Sequence, residues 1–373
     1  MANVVLVDRM EPLVSKLFTP IQIRDITIPN RVWMSPMCTY SAATGSGLPT
    51  DFHQAHYAAR AAGGVGLVMV EATGVSPVAP ISPVDLGLWS DDQIEPFSRV
   101  TAAIRAGGAV PAVQLAHAGR KASTDAPWNG GGYVGPETNG WETVGPSPLA
   151  FPGLPAPREL TVSEIKEVVQ QFAGAAVRAD QAGFDVVEIH AAHGYLLHNF
   201  LSPISNKRTD SYGGTLENRA RIVLEVIDAI RAVWPEEKPV FMRISTTDWV
   251  EENPQDDRES WTLSQSRQLA LWASERGVDL IDASSGGLDI VPIPHDRDYQ
   301  TAKAADLHAS TGVTVAAVGR IDDAQTAHNL VDSGDVNAVF LGRPLLKDPS
   351  WANQAALALG AEPRYVRQYD YVL

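Results

Sequence analysis

The sequence predicts a single (β/α)8 TIM barrel, an α/β fold with an N-terminal β-hairpin and long βα-loop insertions. Three observations carry that reading. Eight short apolar, β-rich runs alternate with helical patterns along almost the whole chain. The runs are continuously apolar rather than alternating, as strands buried on both faces of a parallel sheet are. No linker-like stretch divides the 373 residues. The runs are 32–38 (VWMSPMC), 66–72 (GLVMVEA), 109–115 (AVPAVQL), 185–190 (DVVEIH), 239–245 (PVFMRIS), 279–284 (DLIDAS), 313–319 (VTVAAVG) and 337–342 (NAVFLG). Eight βα units without a break favour a closed barrel over a doubly wound sheet or two α/β domains.

The elements follow in order. Residues 1–16 read as an N-terminal extension, with an apolar stretch of four residues closed by Asp8 and Arg9, too short for a signal peptide or an anchor. The barrel domain spans 17–373. Its first part, 17–30, reads as a small hairpin plugging one end of the barrel. A capping box from Thr161 to Glu164 opens a helix over 162–182, with Ile165, Val168, Val169 and Phe172 on one stripe and Gly183 at its end. Thr262 and Gln265 open another helix in the same way. Asp348-Pro349 reads as an N-cap with Pro at the first helical position. The connections 116–160 and 285–298 are too long for turns. Both follow a strand, so both belong to the catalytic face, where long loops wall a pocket.

Composition sets the bounds. Hydrophobic residues are 45% and charged residues 20%, a globular mixture. The formal charge of −15 and pI near 5.0 argue against general affinity for nucleic acid or an anionic membrane. With one cysteine, Cys38, there is no internal disulfide and no multi-cysteine zinc or iron–sulfur site. No apolar run approaches the ~20 residues that cross a bilayer. The expected compartment is the cytoplasm.

In a barrel, side chains at the C-terminal strand ends converge on one site. Here those ends supply Cys38, Glu71 or Ala72, Gln114, His190, Arg243, Ser284, Gly319 and Gly342, with Tyr40, Lys121, His193 and Tyr195 just beyond. Any one alone is as well read as a strand cap or a core histidine; together they form a polar ring. Gly319-Arg320 and Gly342-Arg343 repeat one pattern after strands seven and eight, which reads as a phosphate cradle. His190 and His193 have the spacing of neither HExxH nor any three-ligand metal set. Two imidazoles at one strand end suit another task, donating hydrogen bonds to a single carbonyl oxygen as an enolate develops. Tyr195 offers a proton nearby. Gly63-Gly64-Val65-Gly66 does not fit the dinucleotide fingerprint. Two other readings stay open: a lyase or aldolase that binds a phosphorylated substrate and forms a Schiff base on Lys121, and a non-catalytic ligand carrier.

The segments NRVWMSPMCTYS (30–41), VQLAHAGRKA (113–122), EIHAAHGYLLHNFLSPISNKRTDSYGGTLENRARI (188–222) and FLGRPLLKDP (340–349) resemble the Old Yellow Enzyme family of FMN-dependent ene-reductases. The Cys of SPMC followed by Tyr40 resembles its bacterial, thermophilic-like branch. The resemblance implies a barrel binding FMN without a covalent bond, with NADPH or NADH as reductant and activated alkenes as substrates in a ping-pong cycle. It implies that Ser35, Pro36, Met37 and Cys38 line the flavin ring and that Ala72 and Gln114 meet its pyrimidine part. Arg243 would stand by the N1–O2 edge, and Gly319, Arg320, Gly342 and Arg343 would hold the phosphate. His190 and His193 would bind the substrate oxygen, Tyr40 would assist, and Tyr195 would donate the proton. Arg208, Asp210 and Tyr212 would belong to a structural loop. The branch also implies a homodimer or tetramer whose tail reaches the neighbouring pocket. Here that tail is Gln368-Tyr369-Asp370-Tyr371, with Tyr371 where relatives carry Arg.

Overall fold

The computed structural model describes residues 15–372; the expected N-terminal extension, apart from Ser15 and Lys16, lies outside the described residues. Eight parallel strands close a barrel: β1 (Val32–Met34), β2 (Leu67–Gly74), β3 (Val110–Ala116), β4 (Val186–Ala191), β5 (Val240–Ser245), β6 (Leu280–Ser284), β7 (Val315–Val318) and β8 (Ala338–Leu341). Each pairs with the next, and β8 returns to β1 with Val339 opposite Val32 and Phe340 opposite Trp33. All eight expected runs are strands. The first is shorter than its apolar run because Pro36 has no N–H for the ladder, so 35–38 leave the sheet and turn over the barrel mouth.

The flanking helices are α1 (Asp51–Ala62), α2 (Ile94–Ala106), α3 (Val162–Gln181), α4 (Leu216–Arg231), α5 (Leu263–Glu275), α6 (Thr301–Thr311), α7 (Ala324–Asp332) and α8 (Trp351–Ala358). The capping box of α3 is reciprocal: the Glu164 N–H donates to Thr161 Oγ1 at 3.2 Å and the Thr161 N–H to Glu164 Oε2 at 2.8 Å. Gly183 follows at φ +86°. Thr262 caps α5 as expected. The start of α8 departs from expectation. Asp348 ends the short helix Arg343–Lys347, its carboxylate accepts the Ser350 N–H at 2.9 Å, and this local turn delays the helix to Trp351.

The expected plug is present. Strands Ile21–Ile23 and Ile26–Ile28 pair antiparallel, and Ile23 and Ile28 join Trp33, Leu67, Met69, Phe241 and Phe340 in the apolar filling of the lumen. Trp33 stacks on Phe241 at 5.8 Å and meets Phe340 edge-on at 5.3 Å. A second apolar layer separates barrel from helices. On the mouth side, the loop after β3 carries a two-stranded pair, Val144–Gly145 with Arg158–Glu159. Buried Arg208 holds that loop, donating to the carbonyls of Pro146 and Leu160 and pairing with Asp210, so 206–221 has the structural role expected of it. Among the described residues, no helix is long and apolar enough to cross a membrane.

Candidate active site

The floor of the mouth is a buried charge cluster. Arg243 on β5 donates from Nε to Asp282 Oδ2 at 2.6 Å and from Nη2 to Ser35 Oγ at 2.8 Å. Glu188 Oε1 lies 3.8 Å from the same Nε and accepts from Gln114 Nε2 at 2.8 Å. Sequence reasoning brought Ser35, Gln114 and Arg243 to this place but missed Glu188 and Asp282. Their signal was a carboxylate inside an apolar run, DVVEIH and DLIDAS. Burial pushes both carboxyls up, and for Glu188 the neighbouring Asp282 adds to the rise; the guanidinium opposes both. A cation so flanked keeps a fixed orientation in the dry floor, at the cost of breaking badly if one partner is lost.

Above it stand His190, His193 and Tyr195. The Ala192 N–H faces His190 Nδ1 at 3.3 Å, which assigns the ring proton to Nε2. The His190 ring lies 5.2 Å from that of His193 and 5.0 Å from that of Tyr195, near-perpendicular to both. Desolvation holds both imidazoles well below the usual histidine range; His190 also feels His193, and His193 feels Arg243. Both are therefore neutral; His193 Nε2 meets Ser284 Oγ at 2.6 Å, which leaves Nδ1 as its free ring nitrogen. Burial, with Cys38 and Tyr40 adding, pushes the Tyr195 phenol up, so it keeps its proton.

The turn bearing this triplet has His193 at φ +60° and Gly194 at φ +72°. Its backbone groups are tied down in turn. The His193 N–H donates to Ser245 Oγ at 2.9 Å, and its carbonyl accepts from Lys121 Nζ at 2.8 Å. The Gly194 N–H donates to His198 Nδ1 at 2.9 Å, and its carbonyl accepts from Asn199 at 2.8 Å. His198 Nε2 in turn faces Asp248 Oδ1 at 3.0 Å. Neither His198 nor Asp248 was singled out from sequence, because only the fold places them together. Lys121 also donates to the Gly287 carbonyl at 3.0 Å and lies over the Phe151 and Tyr195 rings. Burial, with Arg120 nearby, lowers it to about 8. Engaged with two carbonyls, Lys121 is a strut between loops, an arrangement opposed to a Schiff base.

Cys38 is partly exposed at the rim, and its thiol faces the Ala72 backbone. Desolvation, then Asp85 and Glu71, keep it protonated. Tyr40 adopts φ +52° and meets Trp128 of the long β3 loop edge-to-face at 5.6 Å. Met37 bridges to the opposite corner, its Sδ 3.3 Å from where a Cβ on Gly342 would lie.

At that corner Arg320, Arg343 and Lys347 line a cavity of about 530 Å3 with Pro344, Trp351 and two carboxylates, Asp322 and Asp348. Gly319, at φ +111°, lets the chain pass close to Gln300, which a Cβ would approach to 2.8 Å. Arg320 donates to the carbonyls of His295 and Asp296 and lies 4.7 Å over the Tyr299 ring. A ligand joining a flat ring with carbonyl edges to a phosphate matches this layout, with Gln114 and Arg243 at one end and the two Gly-Arg turns, where cations outnumber carboxylates, at the other. FMN fits. Tyr371, 86% exposed on the terminal turn Arg367–Val372, is left in solvent by the single chain.

Residues 16–362 match the NADH:flavin oxidoreductase / NADH oxidase family. The chain belongs to this family. Relatives include an NADPH dehydrogenase of Bacillus subtilis, 43% identical over 356 residues that cover 95% of this chain and 98% of the relative. Among solved structures, morphinone reductase superposes with a TM-score of 0.73 at 30% identity, covering 93% of this chain and 90% of that one. The Old Yellow Enzyme homologue from Zymomonas mobilis superposes with a TM-score of 0.75 at 26% identity, covering 94% of each. The Old Yellow Enzyme resemblance of the motifs is thereby confirmed, as is its barrel. This NADH:flavin oxidoreductase family member is an enzyme whose cofactors are FMN and a nicotinamide nucleotide.

Proposed function

We propose that the protein is an ene-reductase, reducing the C=C bond of α,β-unsaturated carbonyl or nitro compounds in a ping-pong cycle. The observation that carries this reading is the pair of neutral imidazoles, His190 and His193, at one strand end beside a protonated phenol. Bound without a covalent bond, FMN would supply the hydride-transfer chemistry between NADPH or NADH and the alkene. The chain's residues do the rest. Ser35, Pro36, Met37, Cys38, Ala72 and Gln114 would line its ring, and the Arg243 guanidinium would offset negative charge on it. Gly319, Arg320, Gly342 and Arg343 hold the phosphate. The two imidazoles donate to the substrate oxygen as it becomes an enolate, and Tyr40 lies against the same ligand. Tyr195 delivers a proton to the α-carbon.

The same reading makes the protein a cytoplasmic homodimer or tetramer in which Tyr371 reaches the neighbouring mouth. The test is spectroscopic. Acid precipitation should release FMN, anaerobic NADPH should bleach the holo-protein, and cyclohexenone should restore its colour. Bleaching without recovery by any activated alkene would refute the ene-reductase reading while leaving the family chemistry intact.

A further inference from the structure

Behind the rim of the mouth lies a buried polar cluster that the proposed reaction does not use. Strand β2 sends Leu67 and Met69 into the barrel lumen and Val68 and Val70 toward the helices. Strict alternation would aim Glu71 inward. The pairing of β2 with β3 slips between Val70 and Thr73, and this irregularity turns the Glu71 carboxylate out toward α1. There it is fully buried with His53 and Tyr57.

The hydrogen bonds of this cluster run in one direction. The Thr50 N–H donates to His53 Nδ1 at 3.0 Å, leaving the ring proton on Nε2, which faces Thr39 Oγ1 at 3.2 Å. The Thr39 hydroxyl donates onward to Glu71 Oε1 at 3.1 Å, and the Thr39 N–H donates to the same oxygen at 2.8 Å. Tyr57 donates to Oε2 at 2.6 Å and accepts the Glu71 N–H at 3.1 Å. Three donors converge on one carboxylate, an arrangement complete only when Glu71 is ionised. Burial pushes the carboxyl up to about 7, against the bonds from Thr39 and Tyr57. Thr39 lies between Cys38 and Tyr40, and Tyr40 holds a left-handed backbone conformation that needs support from outside the turn.

We infer that Glu71 is the positioning residue of the Cys38–Tyr40 turn, acting through Thr39 to set the thiol beside the flavin and the phenol against the substrate. This rests on the functional reading above. Above pH 7, where Glu71 is ionised, its negative charge beside the rim would also make bound flavin harder to reduce, so removing it raises the midpoint potential measured at pH 8.

The test compares FMN-loaded Glu71→Gln with the parent enzyme, using phenol as the ligand probe. The dissociation constant for phenol should rise about tenfold and the flavin midpoint potential should move upward, with FMN content unchanged. Tyr40→Phe should weaken phenol similarly, and the double variant should be no weaker than the single ones, because Glu71 acts through the placement of Tyr40. If Glu71→Gln does not retain FMN, Tyr57→Phe and Thr39→Val remove one donor each. Both should then show smaller shifts of the same sign. Unchanged phenol affinity and potential in the variants, or additive effects with Tyr40→Phe, would overturn the inference. A parent enzyme that cyclohexenone cannot reoxidise is a separate result, and counts against the functional reading instead.

Discussion

Replacing His190 or His193 by Ala should slow the oxidative half-reaction with an enone by ~10²–10³, the usual cost of one lost oxyanion donor. Flavin reduction by NADPH should change far less, since the nicotinamide forms no enolate. Stopped-flow measurement of the two half-reactions separates these, and equal losses would indicate a collapsed site. Tyr195→Phe should keep phenol binding but slow enones whose protonation is slow, with strongly activated nitroalkenes spared. Cys38→Ala should leave turnover measurable and shift the flavin spectrum and midpoint potential; inactivity with FMN still bound would mean covalent chemistry. At this scale the sequence was informative wherever a chemically distinctive residue ended a strand. It was silent on Glu188 and Asp282, because strand periodicity does not say whether a mid-strand carboxylate has a cation beside it. Arg243, one strand over, supplies that cation.

The element that most constrains the site is the turn from Ala192 to Tyr195. A Cβ on Gly194 would lie 2.3 Å from the Gly287 carbonyl oxygen, and its φ of +72° disfavours any L side chain. Gly194→Ala should therefore destabilise the protein by about 2 kcal/mol or more, visible as a lowered Tm, and should displace the 285–298 loop. Helix caps such as Thr161–Glu164 were legible because both halves of the box lie within four residues of chain. The clamp on this turn was not. Lys121, His198, Ser245 and Asp248 come from three successive strand–helix units, and only the side-by-side pairing of β3, β4 and β5 assembles them. The shift of the α8 start to Trp351 has the same lesson at shorter range, where the Asp348 side chain chose a turn over a cap.

For the molecule as a whole, the buried imidazoles, His53 and His117 together with His56, His190 and His193, make the folded state acid-sensitive. Burial lowers His53 and His117 each from 6.5 to about 4 in the folded state. At these two sites the unfolded chain binds more protons between those values, so their contribution to stability falls as pH drops from 6.5 to 4, while the raised carboxyls of Glu71 and Glu188 contribute with the opposite sign. The loss is about 3 kcal/mol per fully buried imidazole. His117→Asn should flatten that limb of a Tm-against-pH curve. The tail offers a second test at this scale. Deleting residues 368–373 should raise the apparent KM for enones without changing FMN content if Tyr371 serves a neighbouring subunit. A monomer in sedimentation with unaltered kinetics would refute the shared site. The register that seals the barrel, Val339 on Val32, bears on how the chain is made. The first strand waits for a partner some three hundred residues downstream, so a nascent chain leaves the ribosome with one edge of β1 unpaired until β8 emerges. Premature termination before residue 338 should therefore give aggregates instead of a smaller folded domain.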